Sequence, residues 1–155
     1  MKLRIVAIVA ALGVALIGMT FLGPTTSTEA SHRTVVTVRG NVTNVTPGLG
    51  TIFVTAQASG PTSGTLTGQG HDGPPNGSGA SGAPGNPGVC PFPLTGSLSG
   101  SVVTLSGTVS FSSNPAFVGA PVSITANAST GAITFNFAGF IFTGTGSVVV
   151  RQPPP

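Results

Sequence analysis

The chain is 155 residues long and carries little charge, with five Lys or Arg, two Asp or Glu and a formal net charge of +3 at pH 7. So few cations, with no Trp or Tyr to stack on bases, exclude nucleic-acid binding, which needs several clustered cations. A single cysteine excludes an internal disulfide framework.

Residues 1–30 have the pattern of an export signal. Lys2 and Arg4 precede an apolar run at 5–23, and the small residue Ala30 closes the segment. This pattern predicts a secretory signal peptide that is cleaved after Ala30, so that the rest of the chain is secreted. The apolar run would also span about 28 Å as a helix, which is close to the thickness of a bilayer. The alternative is therefore an uncleaved hydrophobic helix at 5–23 that anchors the protein to the membrane with its domain outside.

Residues 31–150 form one predicted domain of short strands, followed by a Pro-rich tail at 151–155. Apolar residues alternate with Ser and Thr in many segments, and this period of two indicates strands with one buried face. Gly- and Pro-rich connectors separate the segments, and none shows an apolar stripe of helical period. The alternation in the fifth segment places Phe111 on the same face as Val109. The predicted strands are 33–40, 51–58, 63–68, 94–100, 101–113, 122–128, 131–137 and 140–150.

A predicted flexible loop at 70–93 interrupts the strand pattern. More than half of its residues are Gly or Pro, a composition that buries too little apolar surface to offset the entropy of ordering the chain. The flanking segments SGTLTG (63–68) and TGSLSG (95–100) are nearly alike, as expected of two strands paired in one hairpin. The loop would be the tip of that hairpin, either a tolerated insertion or a contact surface.

Glycines recur along one face of several predicted strands, for example at Gly68, Gly96, Gly107 and Gly144. A glycine within a strand costs about 0.5–1 kcal/mol relative to alanine. That cost is understandable where a sheet coils sharply or two backbones approach closely. We therefore predict an all-β fold in which about eight short antiparallel strands form a small barrel, with a two-layer β-sandwich as the alternative.

Four phenylalanines crowd the segment FNFAGFIF at 135–142. On one unbroken strand, Phe135 and Phe137 would face away from Phe140 and Phe142. A two-residue turn at Ala138-Gly139 would pair Phe137 with Phe140 and Phe135 with Phe142 on a common face, and a bulge at Gly139 would also restore one. We expect such a break, which brings four rings into one core or, alternatively, around an apolar ligand cavity inside a barrel.

Ionisable groups are too few and too dispersed to predict catalysis. Paired-carboxylate catalysis needs two acids, and a zinc site needs three or four ligands. Asp72 is the only acid after residue 30, and its neighbour His71 falls in the predicted loop, where neither side chain can orient the other. The three arginines after residue 30 are scattered along the sequence. We predict no enzymatic activity, no metal site and no cofactor.

Cys90 is an unpaired thiol in a chain predicted to be exported. Such a thiol is a candidate for an intermolecular disulfide; an inert thiol or a reactive one are the alternatives.

The predicted function is that of an exported, non-catalytic structural or interaction protein, extracellular or at the cell surface. Its expected partner is a second copy or another extracellular protein, because neutral polar surfaces oppose association only weakly. The main alternative is a small-barrel carrier of an apolar ligand in a cavity lined by Phe135, Phe137, Phe140 and Phe142. An enzyme that uses Cys90 or His71 is a third hypothesis.

Overall fold

Eight strands make up most of the chain in the ranges that the computed structural model describes, which are residues 33–47, 50–73, 90–112 and 114–153. One 3₁₀ turn, Pro115–Phe117, is the single helical element in these ranges. The signal peptide or anchor predicted at 1–30 lies outside them. The strands are β1 Arg33–Asn44, β2 Thr51–Pro61, β3 Leu66–Gly73, β4 Cys90–Ser99, β5 Val102–Thr108, β6 Pro121–Asn127, β7 Ala132–Phe137 and β8 Phe140–Arg151.

The strands close into one barrel. Each strand is antiparallel to the next along the chain, and β8 pairs with β1 through a register that runs from Val35 opposite Arg151 to Asn44 opposite Phe142. All eight strands overlap the eight predicted segments. The barrel prediction is therefore confirmed, and the sandwich alternative is excluded.

A marked stagger accompanies closure of the barrel. A path around the barrel can be followed from Thr34 on β1 by stepping to the residue directly opposite on each next strand. This path returns to β1 at Asn44, ten residues beyond its starting point. Such a stagger requires strands tilted by roughly 40° to the barrel axis. The path runs through Thr34, Gly60, Leu66, Gly96, Leu105, Ile124, Phe135, Phe142 and Asn44. Its step from Gly60 to Leu66 continues the β2–β3 register by one residue beyond Ser59 opposite Thr67.

Apolar side chains fill the inside of the barrel, and Ser and Thr dominate its outside. Every strand contributes to one cluster of buried residues, which includes Val38, Leu105, Ile124 and Phe135. The alternation read from the sequence is thus the inside–outside alternation of a closed sheet. We call the end where β1, β3, β5 and β7 finish the loop end, and the opposite end the terminal end.

The hairpin predicted around the long loop is present, but its strands are longer than expected. β3 pairs with β4 from Leu66 opposite Gly96 to Asp72 opposite Cys90. The predicted loop at 70–93 is therefore wrong at both of its ends, since β3 continues to Gly73 and β4 begins at Cys90. The high glycine and proline content predicted a loop there. However, β3 pairs with β2 and β4, and β4 pairs with β3 and β5, and this pairing outweighs the local preference.

The two-residue turn predicted at Ala138-Gly139 is confirmed. Both residues have positive φ, 50° and 92°, as a type I′ hairpin turn requires. The register is the expected one, with Phe137 opposite Phe140 and Phe135 opposite Phe142. Phe140 differs from the expectation, because it begins β8 at the rim of the barrel and is about half exposed, whereas the other three rings are buried.

Strand glycines lie where neighbouring backbones approach too closely for a side chain. A Cβ built on Gly96 would lie 1.9 Å from the carbonyl oxygen of Thr104, and one on Gly107 would lie 1.8 Å from that of Pro93. Gly68 makes an equivalent approach to β2 at Gln57. The glycine pattern in the sequence therefore reflects the tight coiling of this barrel.

Candidate interaction surfaces

The structure separates the two groups that could have formed an acid–base pair. His71 and Asp72 lie on β3, not in a loop as predicted, and consecutive strand residues point to opposite faces. His71 is exposed on the outer surface, whereas Asp72 is fully buried inside the barrel. Neither side chain can therefore orient the other, although the reason is strand geometry and not a mobile backbone.

Cys90 is the first residue of β4, at the loop end, and its backbone lies opposite Asp72. Its side chain lies outside the described part of the structure. The intermolecular disulfide therefore stays a prediction. In the described ranges, no three His, Cys, Asp or Glu side chains lie close enough together to hold a metal ion.

Buried phenylalanine rings pack against one another towards the loop end. The ring centroid of Phe135 lies 5.8 Å from that of Phe92, 6.2 Å from that of Phe137 and 6.1 Å from that of Phe142. Phe117, from the 3₁₀ turn, packs on Phe137 at 5.1 Å. These distances are those of mutually packed aromatic rings. The ligand cavity proposed for Phe135, Phe137, Phe140 and Phe142 stays a prediction.

Large apolar side chains are exposed at the loop end. Their exposed fractions range from 42% for Ile141 to 63% for Phe111. They come from the connections between strands and from the first residues of β8. We call this set the loop-end patch; its members are Val45, Phe111, Val118, Phe140 and Ile141.

Backbone hydrogen bonds hold the segments of the loop-end patch in place. The amide of Val45 donates to the carbonyl of Ile141 at 2.9 Å, and this bond extends the pairing of β1 with β8. The amide of Gly119 donates to the carbonyl of Val109 at 2.8 Å, and the side chain of Asn114 accepts from the amide of Ala116 at 3.1 Å. The patch is therefore built on ordered backbone.

Phe111 is a correction to the sequence analysis. The alternation placed it on the inner face with Val109, but β5 ends at Thr108 and Phe111 is the most exposed member of the loop-end patch. The alternation in the sequence runs on past Ser110, whose amide still donates to the carbonyl of Pro91 on β4, to Phe111, which lies beyond the end of β5. The other patch members were not identified from the sequence, although isolated large apolar residues beside Gly- and Pro-rich connectors were a usable signal.

The arginines after residue 30 lie on one side of the barrel. Arg33 and Arg39 lie on the outer face of β1, and Arg151 lies on the neighbouring β8, opposite Val35. The three arginines, which are dispersed along the sequence, thus lie on two adjacent strands of the barrel. The guanidinium of Arg39 lies over the ring of Phe53 at 5.3 Å, and Nη2 of Arg33 donates to the hydroxyl of Ser59 at 3.5 Å.

The outer surface carries at least two grooves in the described ranges. The first, of about 540 Å³, runs between β2 and β3 beside these arginines, and we call it the β2–β3 groove. The second, of about 760 Å³, crosses β4, β5 and β6, and hydroxyl groups and prolines line it without any charged side chain. Apart from glycines, the residues that line the β2–β3 groove are Val35, Thr55, Gln57, Ala58, Ser59, Thr67, Gln69, His71 and Pro91.

Threonines form a continuous row on the outer face, across six strands. Each member lies directly opposite the next, and the hydroxyl oxygens of Thr43 and Thr51 are 2.8 Å apart. Cross-strand threonine pairs stabilise a sheet and leave its surface polar but uncharged. The row consists of Thr104, Thr125, Thr134, Thr143, Thr43 and Thr51.

Comparison with protein-family models, with curated proteins and with solved structures finds no match to this chain. In the described ranges, the chain contains no helix that is both long and apolar enough to cross a membrane.

Proposed function

We propose that this chain is an exported, non-catalytic structural or interaction protein that associates with a second copy of itself through the loop-end patch. The single observation that carries the proposal is the exposure of five large apolar side chains at one end of the barrel. Export is supported by the signal-like pattern of residues 1–30. The separation of His71 from Asp72 supports the absence of catalysis.

The size of the loop-end patch is suited to weak association. Burying a fully exposed large apolar side chain contributes about 1.5–3 kcal/mol. Each member of the patch is roughly half exposed, so about half of that free energy is still to be gained. Covering the patch on two copies would then contribute on the order of 10 kcal/mol. Lost translational and rotational freedom costs about 4–15 kcal/mol, so the net affinity should be modest.

The charge distribution favours a second copy as the partner. A symmetric dimer brings the same surface of both copies together, so any charged residue in the patch would face its own like charge. None of the five members of the loop-end patch is charged. The arginines lie on the outer face of β1 and β8 and not in the patch. Self-association through the loop end would therefore not place the arginines of one copy against those of the other.

The position of Cys90 fits the same interface. Cys90 starts β4 at the loop end, the end of the barrel that carries the patch. Two copies associated end to end would each place the backbone of Cys90 at the interface end of the barrel. An intermolecular disulfide would then stabilise an association that already exists without it.

Sedimentation velocity of the full-length chain over a range of concentrations, with reductant present, tests this proposal. We expect a reversible dimer that persists in reductant, and we expect Val118→Ser to weaken it. Val149→Ser is the matched control, because Val149 is the same residue type, also exposed, but lies on β8 near the terminal end. Equal weakening by both variants, or a monomer at concentrations up to roughly 1 mM, would contradict the proposal.

A further inference from the structure

We propose that the β2–β3 groove, together with Arg33 and Arg151, forms a binding site for an acidic polysaccharide. This site lies on the side of the barrel, takes a different class of partner, and does not depend on self-association through the loop-end patch.

Polar side chains line the groove as two facing columns. Thr55 lies opposite His71, Gln57 opposite Gln69, and Ser59 opposite Thr67. Alternate residues of a strand are spaced by about 7 Å, so the three pairs cover roughly 14 Å along the groove. Hydroxyl and primary amide groups both donate and accept hydrogen bonds, which is the capacity that sugar hydroxyls require. The array can therefore contact two or three consecutive sugar rings.

Arg33 and Arg151 place positive charge at one end of the groove. The guanidinium of Arg33 reaches Ser59, which lines the groove, and Arg151 lies directly opposite Val35, which also lines it. A planar guanidinium binds carboxylate or sulfate through two parallel hydrogen bonds. The only acidic side chain in the described ranges is Asp72, which is buried inside the barrel, so no acidic side chain in these ranges competes on the outer surface.

The number of cations and the absence of Phe, Tyr and Trp rings distinguish among acidic partners. Nucleic acids need several clustered cations and bases need stacking partners, yet no Phe, Tyr or Trp side chain lines this groove. Anionic membranes attract clusters of about 4–8 cations, more than this side of the barrel carries. Two arginines beside a row of hydroxyls and amides instead suit a sugar polymer with a carboxylate on each ring.

Binding of the full-length chain to immobilised polygalacturonate tests the inference, with methyl-esterified polygalacturonate as the uncharged comparison. We expect binding to the acid form, weakening with added salt, and at least tenfold weaker binding to the ester. Arg33→Gln should lower the affinity about tenfold, since it removes a charge-assisted contact. Gln69→Ala should also lower it, because Gln69 lies in the middle of the groove.

The matched control is Arg39→Gln, which removes the same charge. Arg39 lies opposite Thr55, which lines the groove, but its guanidinium is placed over Phe53 and outside the groove lining. Its loss should therefore change the affinity by less than about threefold. Thr134→Ala, on the outer face of β7, should leave binding unchanged. Equal losses for Arg33→Gln and Arg39→Gln would overturn the site. So would equal binding of the ester, no binding to the acid form, or equally tight binding to duplex DNA or to vesicles of anionic phospholipid.

Discussion

Replacement of Gly96 by alanine tests whether the strand glycines are required by the coiling of the barrel. The new Cβ would lie 1.9 Å from the Thr104 oxygen and 2.8 Å from the Cα of Leu105, and both are backbone atoms. Carbon and oxygen atoms normally stay about 3.3 Å or more apart even in close contacts. The backbones of β4 and β5 must therefore separate by more than about 1 Å at this point.

The expected cost follows from that separation. Overpacking costs about 1–3 kcal/mol, and the weakening of one or two backbone hydrogen bonds adds about 0.5–1.5 kcal/mol each. Alanine recovers about 0.5–1 kcal/mol of the strand propensity that glycine lacks. The net loss in the free energy of unfolding should be about 3 kcal/mol, which for a domain of this size corresponds to a fall in Tm of about 10 °C.

Thermal and urea denaturation should be followed by far-ultraviolet circular dichroism, because the chain has no Trp or Tyr for fluorescence. Gly100→Ala is the control for backbone conformation alone. Gly100 has a φ of +58° but no atom within 4 Å of an added Cβ, so its cost should be only about 1–2 kcal/mol. If Gly96→Ala were no more destabilising than Gly100→Ala, close approach of β4 and β5 would not explain the glycine.

Three further substitutions test the core and the β7–β8 turn. Phe135→Ala should lower the free energy of unfolding by about 3–5 kcal/mol, because it empties a fully buried site that packs on three other rings. Phe140→Ala should cost less than about half as much, since that ring is half exposed at the rim, and equal losses would refute the distinction. Ala138→Asn should raise Tm by a few degrees, because Asn-Gly is the preferred pair for a type I′ turn and Ala138 has a φ of 50°; an unchanged or lower Tm would count against relief of backbone strain.

Much of the fold was predictable because its signals are local. Alternation of apolar and hydroxylated residues located all eight strands, and the turn at Ala138-Gly139 set the register of Phe137 against Phe140. The similarity of residues 63–68 to residues 95–100 identified the β3–β4 hairpin, which the structure pairs from Leu66 opposite Gly96. In each case, neighbours along the chain or across one hairpin carry the information.

The candidate sites were less predictable, because each depends on strands that are distant in sequence. Phe111 belongs to the loop-end patch because β5 ends before it. Where a strand ends depends on its partners in the sheet, which the sequence of that strand does not contain. The β2–β3 groove contains His71 because β3 extends into a segment whose composition indicated a loop. Composition reports what a segment prefers in isolation, and strand pairing can override that preference.

By itself, the sequence determined the strand period, the neutral hydroxylated surface and the scarcity of ionisable groups. Only the tertiary structure decided how β8 meets β1, and with it the positions of Arg33 and Arg151 on adjacent strands at opposite ends of the domain sequence. Closure with a ten-residue stagger also aligned threonines from six strands into one row. The physical reason is that alternation belongs to each strand separately, whereas register and closure are fixed by packing the whole interior at once.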